Sequence, residues 1–273
     1  MTDKGRSETA LAAYSELMVR TISNMIYLDP PQLQRRVVPR HQLYRRIAEE
    51  TPDQYEARRE ARRVGRDWPA DAHSMAGYQR LRNLGDCVLD VLKNDVPGDF
   101  IETGVWRGGA CILMRGLSKA AGQGDRKTFV ADSFEGLPPP SPDEFPADKG
   151  DTHFTRKEAL GISLEQVQDN FRAYDLLDDN VVFLKGWFKD TLPKLDAKAF
   201  AIVRLDGDMY ESTIQAIEIL YPRLSPGGYL IVDDYGAVKG CREAIEDYRS
   251  ANGITEPLQQ VDWTGMFWQK AAG

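Results

Sequence analysis

Hydrophobic side chains in the first third of the chain recur at helical spacing. Leu11, Tyr14, Met18, Ile22, Met25 and Ile26 share one face, which predicts a helix over residues 7–27. Ser7 is placed to cap its start, and Asp29-Pro30-Pro31 to stop it. Residues 32–68 are crowded with arginine and glutamate and predict one or two short helices with solvated faces. Met75, Tyr78, Leu81, Leu84, Val88 and Val91 then predict a longer amphipathic helix over residues 74–93, which Asn94-Asp95-Val96-Pro97-Gly98 ends.

From Asp99 onward the pattern alternates between strand and helix. Short apolar runs predict strands at residues 100–105, 128–133, 181–185, 199–205 and 229–232. Helical patterns lie between them at 109–121, 163–174 and 211–224. This order predicts an α/β fold with a doubly wound, mostly parallel sheet. The tail differs: a helix at 239–251 precedes two segments, 258–263 and 266–270, flanking Thr264-Gly265 as a hairpin. A parallel sheet finished by an antiparallel hairpin points to a Rossmann-like methyltransferase sheet rather than a dinucleotide-binding one. The expected division is a helical lid over residues 1–73 and a sheet-bearing domain over residues 74–273. Residues 137–155 form a long Pro/Asp-rich stretch, which reads equally as a functional loop or a surface excursion.

Composition narrows the function classes. The 273 residues are 42% hydrophobic and carry a net charge of -7, which fits a small-molecule enzyme and disfavours general nucleic-acid binding. Cys87, Cys111 and Cys241 are far apart and odd in number, which predicts a reducing cytoplasm and no structural zinc. No apolar run has signal-peptide or membrane-spanning length, so no membrane partner is expected.

The chemistry gathers at strand ends. The run Phe200-Ala201-Ile202-Val203 leads into Arg204-Leu205-Asp206-Gly207-Asp208, and Tyr229-Leu230-Ile231-Val232 into Asp233-Asp234. Ligands of open α/β sheets bind outside the carboxyl ends of strands. Four carboxylates gathered there repel one another unless a cation or shared protons relieve them. Carboxylate oxygens suit a hard divalent ion such as magnesium. A structural alternative stays open: Asp208 with Glu211 matches a capping box, and Asp233 and Asp234 match turn caps. Glu102-Thr103-Gly104 opens a glycine-bearing turn, Gly104-Val105-Trp106-Arg107-Gly108, which is either a cofactor loop or a tight strand-to-helix turn. Asp132, followed by Ser133, is placed for ribose hydroxyls or for a turn cap. Gly186-Trp187 offers an aromatic face for a purine or a core tryptophan. His153 can reach the strand ends from its long loop.

Three strings together resemble the macrocin O-methyltransferase family: Glu102-Thr-Gly-Val-Trp-Arg-Gly-Gly, Asp132-Ser-Phe-Glu-Gly-Leu-Pro and Leu205-Asp-Gly-Asp-Met-Tyr-Glu-Ser-Thr. The likeness extends through Leu224-Ser-Pro-Gly-Gly-Tyr-Leu-Ile-Val-Asp-Asp-Tyr and covers about residues 75–270. It implies a magnesium- and S-adenosylmethionine-dependent enzyme that methylates a sugar hydroxyl of an antibiotic precursor. Within the family the aminocoumarin branch is the nearer likeness, which implies the 4-hydroxyl of a noviose-type deoxysugar on a glycoside acceptor. The resemblance implies that Asp206, Asp233 and Asp234 hold the metal and that Asp208 is the general base. It further implies that Glu102, Thr103 and Gly104 lie at the cofactor loop, Asp132 and Ser133 at its ribose, and Gly186 and Trp187 near its adenine. Tyr27 and Met75 are expected to line the acceptor cover. A homodimer is the default expectation for a soluble enzyme. The rival readings are a catechol-type O-methyltransferase, which also uses magnesium, a nicotinamide-dependent sugar oxidoreductase, and a non-catalytic nucleotide- or sugar-binding module. The oxidoreductase requires a three-glycine fingerprint that the chain lacks.

Overall fold

Successive residues of the central strands, such as Phe100-Ile101 and Ile202-Val203, are all fully buried. Their side chains point alternately to the two faces of a sheet, so both faces must be covered. The computed structural model describes residues 3–32 and 39–271 and shows how. Its helices are α1 Asp3–Ile22, α2 Arg40–Ala48, α3 Pro52–Arg63, α4 Gly77–Lys93, α5 Gly109–Ala120, α6 Lys157–Leu160, α7 Leu164–Ala173, α8 Phe188–Thr191, α9 Tyr210–Leu220 and α10 Lys239–Ala251. The strands are β1 Asp99–Thr103, β2 Thr128–Asp132, β3 Val181–Lys185, β4 Phe200–Leu205, β5 Leu224–Val232, β6 Gln259–Gln260 and β7 Met266–Gln269. They form one seven-stranded sheet in the order β3-β2-β1-β4-β5-β7-β6. β1 to β5 pair in parallel, β7 adds antiparallel to β5, and β6 forms the edge antiparallel to β7. The order reverses between β1 and β4, the switch point at which α/β sheets open a crevice.

One face packs Phe100, Val130, Ile202 and Ile231 under α1, α4 and α5. The other packs Ile101, Phe129, Val203 and Leu230 under α9 and α10, with Trp268 fully buried among them. α1 belongs to the first of these cores through Met18, Val19 and Ile22.

Several boundaries differ from the sequence expectation for local reasons. α1 starts before Ser7, which lies inside the helix, and ends at Ile22 rather than near Tyr27. Asn24 adopts a φ of 51°, and Met25 N–H donates to the Arg20 carbonyl at 2.9 Å, a left-handed helix stop that acts before the prolines. α9 ends at Leu220 because Pro222 cannot continue the helical ladder. Two helices occupy the arginine-rich region as expected, with the part at residues 33–38 outside the described residues. Its faces are not all solvated. Arg62 is completely buried, donating to Asp29 Oδ1 at 2.7 Å, Asp67 Oδ2 at 2.8 Å and the Ser23 carbonyl at 3.0 Å. No helix among the described residues is long and apolar enough to cross a membrane.

That buried guanidinium ties the end of α1 to the segment after α3. Arg62→Ala leaves two carboxylates without their counter-charge in the interior, and the expected loss is about 3–5 kcal/mol of unfolding free energy. Urea denaturation measures it; a loss under about 1 kcal/mol would show that the pair relaxes to solvent.

Candidate active site

Strand register assembles the site. Thr103 pairs with Leu205, and Leu205 with Val232. The next residues, Gly104, Asp206 and Asp233, therefore emerge side by side at one sheet edge. The ladder continues past the strands: Asp206 N–H donates to the Thr103 carbonyl and Asp233 N–H to the Leu205 carbonyl, both at 2.9 Å. Gly104 has a φ of 85°, and a Cβ there would lie 1.8 Å from the Asp206 carbonyl oxygen. Only glycine lets the β1 turn approach this closely.

Asp206, Asp233 and Asp234 each place a carboxylate oxygen within 4.8 Å of the others. Two buried arginines offset part of this charge. Arg204, the one cation in strand β4, pairs with Glu102, Asp206 and Asp233. Arg80 of α4 pairs with Asp233 and, at 3.1 Å, with Asp262. Asp234 Oδ2 is buried and has no hydrogen-bond partner among the described residues. Burial and the neighbouring Asp208, Asp206 and Asp233 push the Asp234 carboxyl well above its ordinary range. Burial and then Asp233 raise Asp206, against the pull of Arg204. Asp208 is pushed up to about 7, chiefly by burial, while His153 pulls it down. No hydrogen bond of the described residues engages the Asp208 carboxylate. The capping box offered by Asp208 and Glu211 does not form, since α9 is capped at Met209 without a side-chain bond.

These carboxylates floor a cavity of about 510 Å³. Of the residues singled out from the sequence, Gly104, Asp132, Ser133, Gly186, Trp187, Asp206, Asp208, Asp233, Asp234 and Met75 line it together. Asp132 holds the β1 turn as well as facing the cavity: Val105 N–H donates to Oδ2 at 2.8 Å and Phe134 N–H to Oδ1 at 2.7 Å. Burial raises its carboxyl and these bonds lower it. Trp187 remains 37% exposed at the mouth.

Three of the expected residues are not brought to the cavity wall. Glu102 is buried behind the strand end, where Arg204 and the Cys111 thiol donate to its carboxylate and burial pushes it up to about 7. Thr103 is buried beside it. Both lie in the strand rather than the turn, so their side chains point into the sheet layers. Tyr27 is 86% exposed and lies outside the lining, because α1 stops before it. The wall also includes residues that the sequence reading did not select: Arg66, Trp68, Arg80, Trp106, Arg156 and Trp263. Trp106 carried a legible signal, since it lies inside the Gly104-to-Gly108 turn, and so did Arg204 behind the wall, a charge inside an otherwise apolar strand. The other wall residues carried none, since their proximity depends on tertiary packing. Trp263, for example, donates through Nε1 to the Val64 carbonyl at 2.8 Å, joining the carboxy-terminal hairpin to the segment after α3.

A methyl group at residue 104 would collide with the Asp206 backbone. Gly104→Ala is therefore expected to lower unfolding free energy by about 2 kcal/mol or more. Denaturation of the purified variant tests this, and an unchanged midpoint would refute the close approach.

Comparison with known proteins agrees with this architecture. The profile of the family described as Macrocin-O-methyltransferase (TylF) matches residues 11–270. The chain is 46% identical over 266 residues to 8-demethyl-8-(2,3-dimethoxy-alpha-L-rhamnosyl)-tetracenomycin-C 4'-O-methyltransferase of Streptomyces olivaceus, covering 97% of this chain and 95% of that one. It is 45% identical over 257 residues to demethyldecarbamoylnovobiocin O-methyltransferase of Streptomyces niveus, covering 94% and 93% respectively. It is 42% identical over 266 residues to mycinamicin III 3''-O-methyltransferase of Micromonospora griseorubida, covering 97% and 98%. The solved structure of the O-methyltransferase NovP superposes with a TM-score of 0.85 at 43% identity, covering 96% of this chain and all (100%) of that one. The chain belongs to the macrocin O-methyltransferase family and is an S-adenosylmethionine-dependent O-methyltransferase.

Proposed function

We propose that the enzyme methylates a sugar hydroxyl on an antibiotic precursor, the 4-hydroxyl of a noviose-type deoxysugar, with magnesium at the carboxylate cluster and Asp208 as general base. The names of the three curated relatives support an antibiotic acceptor, and one of them specifies a rhamnosyl group methylated at its 4' oxygen. The carboxylate trio with the buried, partnerless Asp234 Oδ2 carries the metal half of the reading.

The residues present fit a hard divalent ion. Six carboxyls, from Glu102, Asp206, Asp208, Asp233, Asp234 and Asp262, face two buried guanidiniums among the described residues, those of Arg80 and Arg204. The donor set is all oxygen, as magnesium prefers. Asp206, Asp233 and Asp234 would hold it. Magnesium supplies Lewis-acid polarisation, which makes a neutral sugar hydroxyl a stronger acid. S-adenosylmethionine supplies the methyl group on an electron-poor sulfonium.

The remaining work falls to the chain. Asp208 stands beside Asp206 with no hydrogen-bond donor occupying it, so its carboxylate is free to take the hydroxyl proton. Trp187 offers an indole face for the adenine, and Asp132 and Ser133 offer polar atoms for the ribose. Met75, Trp68 and Trp263 also line the cavity and suit the apolar face of a glycoside. Holding both reactants in one cavity supplies the proximity term of catalysis. The free thiols of Cys87, Cys111 and Cys241 suit a reducing cytoplasm, and a homodimer is the assembly proposed.

The direct test incubates a noviosyl glycoside with methyl-labelled S-adenosylmethionine, with magnesium and after exhaustive chelation. Mass spectrometry is expected to place the label on the sugar with magnesium only. Label on an added catechol and not on the sugar would favour a catechol-type enzyme, and full turnover after chelation would remove the metal. In a second experiment, Asp208→Asn is expected to lower kcat by about 10²-fold or more while leaving S-adenosylmethionine affinity intact by calorimetry. Near-normal turnover would take the base role away from Asp208.

A further inference from the structure

We propose that Asp148 is a positioning residue for methyl transfer: it clamps the backbone that presents Asp208, and so couples docking of the 137–155 loop to the catalytic turn. This rests on Asp208 being the base.

Asp208 occupies an uncommon backbone conformation. Its φ is 60°, and Met209 N–H donates to the Gly207 carbonyl at 2.7 Å across it. A two-residue closure around a positive φ is the strained form of the γ-turn. Such a conformation persists only where the surroundings impose it. The local sequence does not impose it. Met209, at the cap of α9, provides no side-chain acceptor, and the capping box that Asp208 and Glu211 could form is not made.

The acceptor comes instead from 62 residues earlier in the chain. Tyr210 N–H donates to Asp148 Oδ1 at 2.7 Å, and Glu211 N–H donates to Oδ2 at 2.9 Å. Asp148 is only 3% exposed, so these charge-assisted bonds are shielded from water. α10 makes room for the clamp: a Cβ on Gly240 would lie 2.7 Å from Asp148 Oδ1 and 3.0 Å from the Tyr210 nitrogen. One carboxylate thus joins the loop, the start of α9 and the start of α10. It leaves Asp208 and Glu211, both on the cavity wall, free of capping duty.

The same loop contributes to the cavity itself. Leu137, Pro138, Pro139, Ser141 and His153 line it. Asp151 accepts from the His153 backbone N–H and from its Nδ1, both at 2.7 Å, which orients the ring. A loop seated by Asp148 therefore brings its lining residues and the correct Asp208 geometry together. A loop displaced at Asp148 leaves two helix N–H groups unpaired and lets the γ-turn relax.

The experiment compares Asp148→Ala and Asp148→Asn in the full-length enzyme, alone and combined with Asp208→Asn. Asp148→Ala is expected to lower kcat by about tenfold or more, with S-adenosylmethionine affinity within about twofold of wild type by calorimetry. Asp148→Asn keeps one accepting oxygen and is expected to fall between wild type and Ala. In the Asp208→Asn background the Asp148 substitution is expected to cost less than about threefold more, because both act through one group. An unchanged kcat, full additivity in the double variants, or parallel loss of kcat and cofactor affinity would each overturn the proposal. If the Ala variant does not fold, the Asn variant carries the same comparison. Normal turnover in Asp208→Asn alone would overturn the base reading and this inference with it. Loss there with none at Asp148 would overturn the positioning role alone.

Discussion

The structure depends on managing like charge at the carboxyl edge of a parallel sheet. Two carboxylates about 4 Å apart repel by roughly 4 kcal/mol at an effective dielectric of about 20. This chain gathers Glu102, Asp206, Asp208, Asp233 and Asp234 in that region. Arg204 holds three of them from within the sheet, and Arg80 reaches Asp233 from α4. A buried cation of this kind does little for stability on its own, since desolvation opposes the pairing. Its consequence is positional: it keeps Asp206 and Asp233 aimed at one point while Asp234 retains an unsatisfied oxygen.

The same edge is held by elements distant in sequence. Asp132 bridges the β1 and β2 turns by accepting from Val105 and Phe134. Gly104 allows the β1 turn to rest on the Asp206 backbone. Asp148 caps α9 from the long loop, and Trp263 fastens the hairpin to the segment after α3. Asp132 and Asp148 both act as carboxylates accepting pairs of backbone N–H groups, and all four residues or their segments border the same strand-end cavity. The amino-terminal region takes part through Arg62 and through α1, which lies in the main core. Residues 1–73 thus share the main core through Met18, Val19 and Ile22 and supply Gly65, Arg66 and Trp68 to the cavity wall.

Much of this was legible before any coordinates. The change from helical to alternating periodicity at Asp99 marked the sheet, and the late hairpin marked its antiparallel end. The strand-end aspartates were visible because an apolar run that stops in charge has few meanings in an α/β protein. Gly104, Asp132 and Trp187 were visible for the same positional reason, and all line the cavity. Glu102 and Thr103 looked equivalent to Gly104 in the string. Only the last of the three lies in the turn.

What the sequence determined by itself is the class of sheet, the faces its strands bury and the acidic strand ends, because periodicity and chain punctuation are local properties. Which carboxylates meet was decided by parallel register, which aligns Leu205 with Val232 although they are far apart in the chain. Which of them stay free was decided by partners from elsewhere: Asp148 displaced a local capping box, and Arg62 turned a seemingly solvated arginine-rich stretch into a buried tie. Those outcomes depend on distances between segments, and no pattern within one segment encodes a distance to another.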